Sequence, residues 1–136
     1  MSRYIAENIR QSVALRAFQR CEYCRVHKDD LFFVFQIDHI ISIKHGGLTE
    51  LENLAYVCSP CNQFKGSNLG TYLPGSKRLV RLFNPRKDRW FAHFDVDNGE
   101  ILPKTRIGAA TIKVLELNNI DRIILRQNLI DIGRYL

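Results

Sequence analysis

The sequence predicts an α+β fold, on three observations. A helical pattern of apolar residues opens the chain. Two short runs rich in β-branched and aromatic residues, followed by a helical segment, lie between and after two Cys-x-x-Cys pairs. The remainder gives a run of strand signals followed by two further helical segments. The expected order is N-terminal helix, strand, strand, helix, then a small antiparallel sheet closed by helices.

From residue 2 to residue 20, Ile5, Ile9, Val13 and Ala17 recur every four positions with Arg and Gln between them, as on one face of a helix that Cys21 ends. Leu31 to Ile41 is rich in Phe, Val and Ile, whose bulky side chains suit a pleated surface, and is expected to be a strand. Asp38 and His39 interrupt its apolar run, and two such groups are costly to bury unless each has a partner. His45-Gly46-Gly47 marks a turn and Leu54 to Val57 a second short strand, which implies a hairpin. Asn62-Gln63-Phe64-Lys65 then begins a short helix that Gly66-Ser67-Asn68 closes.

The character changes at residue 77. Leu79 to Phe83, Trp90 to Val96 and Glu100 to Leu102 suggest a small antiparallel sheet with an Asn98-Gly99 turn. Ala109 to Leu117 and Asp121 to Tyr135 suggest two helices separated at Asn118-Asn119. There is no internal repeat, low-complexity run or long linker, so residues 1–136 are expected to form one domain, with 77–136 as a C-terminal extension.

Lys and Arg total 20 against 14 Asp and Glu, a net charge of +6 that favours a polyanionic partner, nucleic acid first, and opposes an acidic one. The longest unbroken apolar stretch, Leu31 to Phe35, is far short of the roughly 20 residues of a membrane span, so no membrane partner is expected. The N-terminus lacks the apolar core of a secretory signal, and a cytoplasmic location is the expectation. The four cysteines, Cys21, Cys24, Cys58 and Cys61, form two pairs with nothing left over. In a reducing compartment that pattern points to a closed tetrahedral zinc site, structural because no coordination position stays open. Residues 25–57 form the insert that such a zinc would pin at both ends.

In and around that insert stand Arg20-Cys21-Glu22-Tyr23-Cys24, Asp38-His39-Ile40-Ile41, Gly46-Gly47, Glu52-Asn53-Leu54, Cys58-Ser59-Pro60-Cys61-Asn62 and Lys65-Gly66. Their order and spacing resemble the zinc-containing HNH endonucleases over residues 12–68. The resemblance implies a ββα-metal site in which two strands and a helix grip one divalent cation against a DNA phosphate. By position, Asp38 matches the acidic metal ligand and His39 the general base. Asn53 matches the loop-tethering asparagine that would hold the loop and the His39 ring in place. Asn62 matches the last position of the motif, a catalytic and metal-ligating one that is often histidine, which makes this an H-N-N variant. An amide oxygen beside a carboxylate suits magnesium or manganese. Lys65, Arg86 and Lys87 are expected to contact DNA, within a wider basic cluster of Arg78, Arg81, Arg86, Lys87 and Arg89.

Asn84-Pro85-Arg86, Trp90, His93-Phe94, Thr105 and Gly108 resemble a C-terminal extension of some bacterial HNH proteins. Trp90 and Phe94 fall on one side of the expected strand and suit the core better than a base-stacking platform. The rival to an endonuclease is a zinc-knuckle module that binds nucleic acid without cutting it. A base beside a hard-metal ligand, as in Asp38-His39, favours the enzyme. Protein partners and homodimerisation are not legible in the sequence.

Overall fold

Helix α1 runs over Glu7–Arg16, with Glu7 in its first turn and Arg16 in its last, each complementing the helix dipole. The computed structural model describes residues 4–136, so Ser2 and Arg3 of the expected N-terminal helix lie outside the described residues. The helix also ends earlier than the sequence suggests. Phe18 and Gln19 take left-handed φ values of 55° and 60°, which unwinds the chain before Cys21. The expected face is nevertheless the buried one: Ile5, Val13 and Ala17 pack with Leu54 and Tyr56 in one cluster, against which Ile9 is half-buried.

Strand β1 covers Gln36–His39 and pairs antiparallel with β2, Leu54–Val57, setting Asp38 opposite Ala55 and His39 opposite Leu54. The expected strand over 31–41 thus shrinks to four residues. Its limit is the partner: β2 runs directly into Cys58 and a helix, leaving nothing for Leu31 to Phe35 to pair with. Phe32 and Val34 are consequently fully or largely exposed. Helix α2, Ser59–Lys65, begins at the second knuckle with Pro60 in its first turn, three residues before the expected start at Asn62. Gly66 closes it at φ 52°.

The C-terminal part departs further from expectation. Instead of one sheet there are two separate two-stranded ladders, β3 (Gly70–Thr71) with β4 (Val80–Arg81), and β5 (Phe94–Asp97) with β6 (Glu100–Pro103). Between them, Trp90–His93 is a short helix, α3, not the start of a strand. Asn98 and Gly99 at φ 49° and 85° make the turn that the Asn-Gly pair predicts. Two longer helices follow, α4 (Arg106–Leu115), capped by the Thr105 hydroxyl on the Gly108 amide, and α5 (Ile120–Asp131).

The main core cluster draws on both parts of the chain. The four cysteines, Tyr23, Ile40 and Val57 pack in it with Phe83, Trp90, Phe94, Leu115 and Tyr135. Trp90 and Phe94 lie 4.9 Å apart by ring centroid inside this core, so neither offers a stacking platform to a base. Hydrogen bonds fasten the extension to the first knuckle: Trp90 Nε1 donates to the Tyr23 carbonyl (2.8 Å), Tyr135 Oη to the Cys24 carbonyl (2.7 Å) and Arg86 to the Glu22 carboxylate. No helix among the described residues is long and apolar enough to cross a membrane.

Candidate metal centre and adjoining cleft

The first knuckle is a tight turn in which Cys21 N–H donates to the Val26 carbonyl and Arg25 N–H to the Cys21 carbonyl, with Arg25 at φ 69°. The second is the entry to α2, whose geometry turns Cys58 and Cys61 toward the first pair. All four sulfurs are buried, form no disulfide and lie within 4.8 Å of one another. Cys24 and Cys58 Sγ are 3.7 Å apart. Four sulfurs at tetrahedral corners about 2.3 Å from one zinc ion would be spaced by about 3.8 Å, so the cluster fits that ion.

β1 and α2 face each other through three polar contacts. Gln36 and Asp38 point to the same side of the strand, two residues apart. Asn62 Nδ2 donates to Gln36 Oε1 (2.8 Å), and Lys65 Nζ, one turn further along α2, sits 2.9 Å from Asp38 Oδ2 and donates to the His39 carbonyl (3.2 Å). Asp38 and Asn62 therefore belong to one strand–helix interface. Among the described residues no hydrogen bond reaches Asn62 Oδ1, and Asp38 Oδ2 is buried with the Lys65 ammonium as its ion-pair partner. Both side chains carry hard oxygen atoms of the kind magnesium and manganese take, but Asn62 does not line the cleft that Asp38 shares with His39. Burial raises the Asp38 pKa from its ordinary value against the pull of Lys65.

Lys65 is 2% exposed, so it lies inside the protein as the counter-ion of Asp38 and not on a phosphate-facing surface. Truncating one member of such a pair leaves the other charge buried and unpaired. Asp38→Ala is therefore expected to lower stability by about 3–5 kcal/mol, and Lys65→Met added to it should recover a large part of the loss. Urea unfolding measures both. Equal midpoints for wild type and Asp38→Ala would show that the pair is not a structural one.

His39 lies on the opposite face of β1 from Asp38 and is half-buried, its Nε2 2.8 Å from Thr49 Oγ1. Both residues line one cleft of about 310 Å³, with Ser42, Lys44 and Ser67 on its walls. The buried Ser42 hydroxyl there has no partner. Asn53 is the tether of the loop above: its Nδ2 donates to the Ile41 and Leu48 carbonyls and its Oδ1 accepts from the Ile41 amide, each at 2.9 Å. The ring of His39 is steadied by Thr49 and not by Asn53, a role with no sequence signal. Gly47 does carry one: a Cβ there would come within 1.7 Å of the Ile41 carbonyl oxygen and 2.8 Å of Asn53 Nδ2. Only glycine lets the tether close.

The basic cluster divides. Arg86 lies inward on Glu22 and the Leu54 carbonyl, and Arg81 makes a two-pronged pair with Asp88 (2.7 and 3.0 Å). Arg78, Lys87 and Arg89 are exposed. His45 is exposed at the end of a 3₁₀ turn and does not line the cleft. His27 bonds the Asp29 amide, and His93 Nδ1 is 2.6 Å from Thr105 Oγ1.

Residues 21–68 match the family described as HNH endonuclease. The match spans both knuckles, β1, β2 and α2, so the strand–strand–helix unit and its cysteine cluster carry the likeness, and residues 69–136 lie outside it. No curated protein and no solved structure matches the chain.

Proposed function

We propose that the protein is a metal-dependent DNA endonuclease that hydrolyses phosphodiester bonds with His39 as general base, a divalent cation held by Asp38 and Asn62, and a structural zinc held by the four cysteines. The observation that carries this reading is the meeting of Asp38 and His39, from opposite faces of one strand, at a single cleft beside α2. A histidine base is matched to neutral pH by its ordinary pKa of about 6.5. Thr49 orients the His39 ring and Asn53 holds the loop that roofs it. His39 takes the proton of a water whose oxygen attacks phosphorus, and the P–O3′ bond breaks to leave a 5′-phosphate and a 3′-hydroxyl that collects its proton from solvent. A bound magnesium or manganese would stabilise the charge developing on the phosphate and on the leaving oxygen. Lys44 on the wall of the cleft and the exposed Lys87 bring positive charge to the DNA backbone.

One observation favours the rival reading, a zinc-knuckle module that binds nucleic acid without cutting: Lys65 already neutralises Asp38. Supercoiled plasmid separates the two. The enzyme is expected to nick or linearise it with magnesium or manganese, to stop on addition of EDTA and to resume when magnesium is returned, while thiolate-held zinc survives the brief chelation. Plasmid that stays intact with both metals but is bound in a salt-dependent way establishes the binding module instead.

A further inference from the structure

A zinc ion with four thiolates leaves two net negative charges in a site whose sulfurs are all buried. An uncompensated charge of that size is costly in a low-dielectric interior, so its neutralisation must come from nearby cations or hydrogen-bond donors. Neither knuckle supplies a cation to the sulfurs. The backbone provides one N–H···S contact, from the Cys24 amide to Cys21 Sγ at 3.4 Å.

The nearest cation comes from α5, outside the family match. Arg122 Nη2 donates to Cys61 Sγ at 2.8 Å, while its Nη1 is held by the Leu115 carbonyl at 2.8 Å and the Glu116 carbonyl at 3.3 Å. The guanidinium fork is thus fixed by the end of α4 and aimed at a metal-ligating sulfur. Arg126, one turn further along α5 and 1% exposed, lines the same cavity as Cys24, Cys58 and Arg122. Its own hydrogen bonds go to the Gly99 and Leu117 carbonyls and Asn118 Oδ1, so it contributes charge without touching a sulfur. The only acidic side chain on the cavity wall, Asp121, is exposed.

We propose that Arg122 is a positioning residue of the zinc centre, its hydrogen bond to Cys61 damping the electron density of that thiolate and, with the charge of Arg126, balancing the tetrathiolate. The C-terminal extension is thereby an electrostatic part of the metal site and more than a covering for it. The proposal rests on the zinc reading of the four cysteines. An arginine that merely ties the end of α4 would hold the Leu115 and Glu116 carbonyls with no effect on the sulfur, and the experiment separates the two roles.

Zinc transfer from the full chain to a chromophoric chelator is expected to be roughly 10-fold or more faster in Arg122→Ala, on the scale of outer-shell changes at metal sites. Arg122→Lys, which keeps a cation beside Cys61, should recover part of the retention. In the cobalt-substituted protein the sulfur-to-cobalt charge-transfer band should move to lower energy in Arg122→Ala, because the thiolate becomes the better electron donor. Release within about twofold of wild type by a folded Arg122→Ala, or an unshifted cobalt band, overturns the proposal. Should that variant fail to fold, the cadmium-113 form of the wild type decides. A scalar coupling between the metal and an Arg122 Nη proton establishes the N–H···S bond, and its absence refutes it. A wild type that binds no zinc at all refutes the zinc reading itself, and this proposal with it.

Discussion

Cys58→Ser is expected to yield a protein that neither holds zinc nor folds cooperatively at room temperature. Cys58 is fully buried where β2 ends and α2 begins, and its sulfur is 3.7 Å from that of Cys24 on the other knuckle. The four-cysteine site is therefore a long-range joint, tying residues that the chain separates by the whole of the β1–β2 insert. A structural zinc contributes about 10–16 kcal/mol in small zinc domains, as much as or more than the total stability of an ordinary domain of about 5–15 kcal/mol. Serine offers a poor ligand at the same corner and leaves three buried thiolates around an incomplete site. Two measurements check the expectation together, metal content by mass spectrometry and thermal unfolding by circular dichroism. A variant that melts cooperatively within a few degrees of wild type, or a folded and reduced wild type with less than about half an equivalent of zinc, would overturn it.

His39→Ala is expected to have the largest effect on chemistry and a small one on the fold. The ring is half-buried at the cleft, its Nε2 meets the hydroxyl of the exposed Thr49, and its place in the ladder with Leu54 is held by the backbone. Losing it should cost about 1 kcal/mol or less of stability, while cleavage falls by roughly 10² or more, the scale for loss of a general base. Zinc content and salt-dependent DNA affinity should stay at the wild-type level, because neither depends on the imidazole. Single-turnover cleavage of a plasmid at saturating protein is the measurement. Partial rescue by added imidazole would mark the lost group as a base, and undiminished cutting would remove His39 from the mechanism. Asp38 is a less clean subject for the same experiment, since its removal also strands Lys65 in the interior.

Local chemistry made several features legible in advance. The spacing of the cysteines announces a four-sulfur cluster because a Cys-x-x-Cys turn can present both thiolates to one point, wherever its partner pair lies. Asp38 and His39 stand out because charged or titratable groups inside an apolar run need partners. The four-residue recurrence of Ile5, Val13 and Ala17 picks the face of α1 that is buried, and Asn98-Gly99 specifies its own turn. Each of these depends on only a few consecutive residues or one short period.

Other features could be decided only by the tertiary structure. Whether Leu31 to Phe35 continues β1 depends on a partner strand that stops at Val57, and Phe32, Phe33 and Val34 are left exposed for want of one. Whether Lys65 and Arg86 meet phosphate or a carboxylate depends on which side chain the fold brings opposite, and here Asp38 and Glu22 claim them. Thr49 beside His39 and Arg122 beside Cys61 are ordinary residues in the sequence, the second 61 positions away from its sulfur. The sequence by itself determined the four-cysteine cluster and marked Asp38 and His39 as groups in need of partners, because those follow from residue type and short spacing. The folded chain decided which charges remain available to a substrate and which are consumed within the protein, because a hydrogen bond or ion pair is set by distance in space and carries no trace in sequence separation.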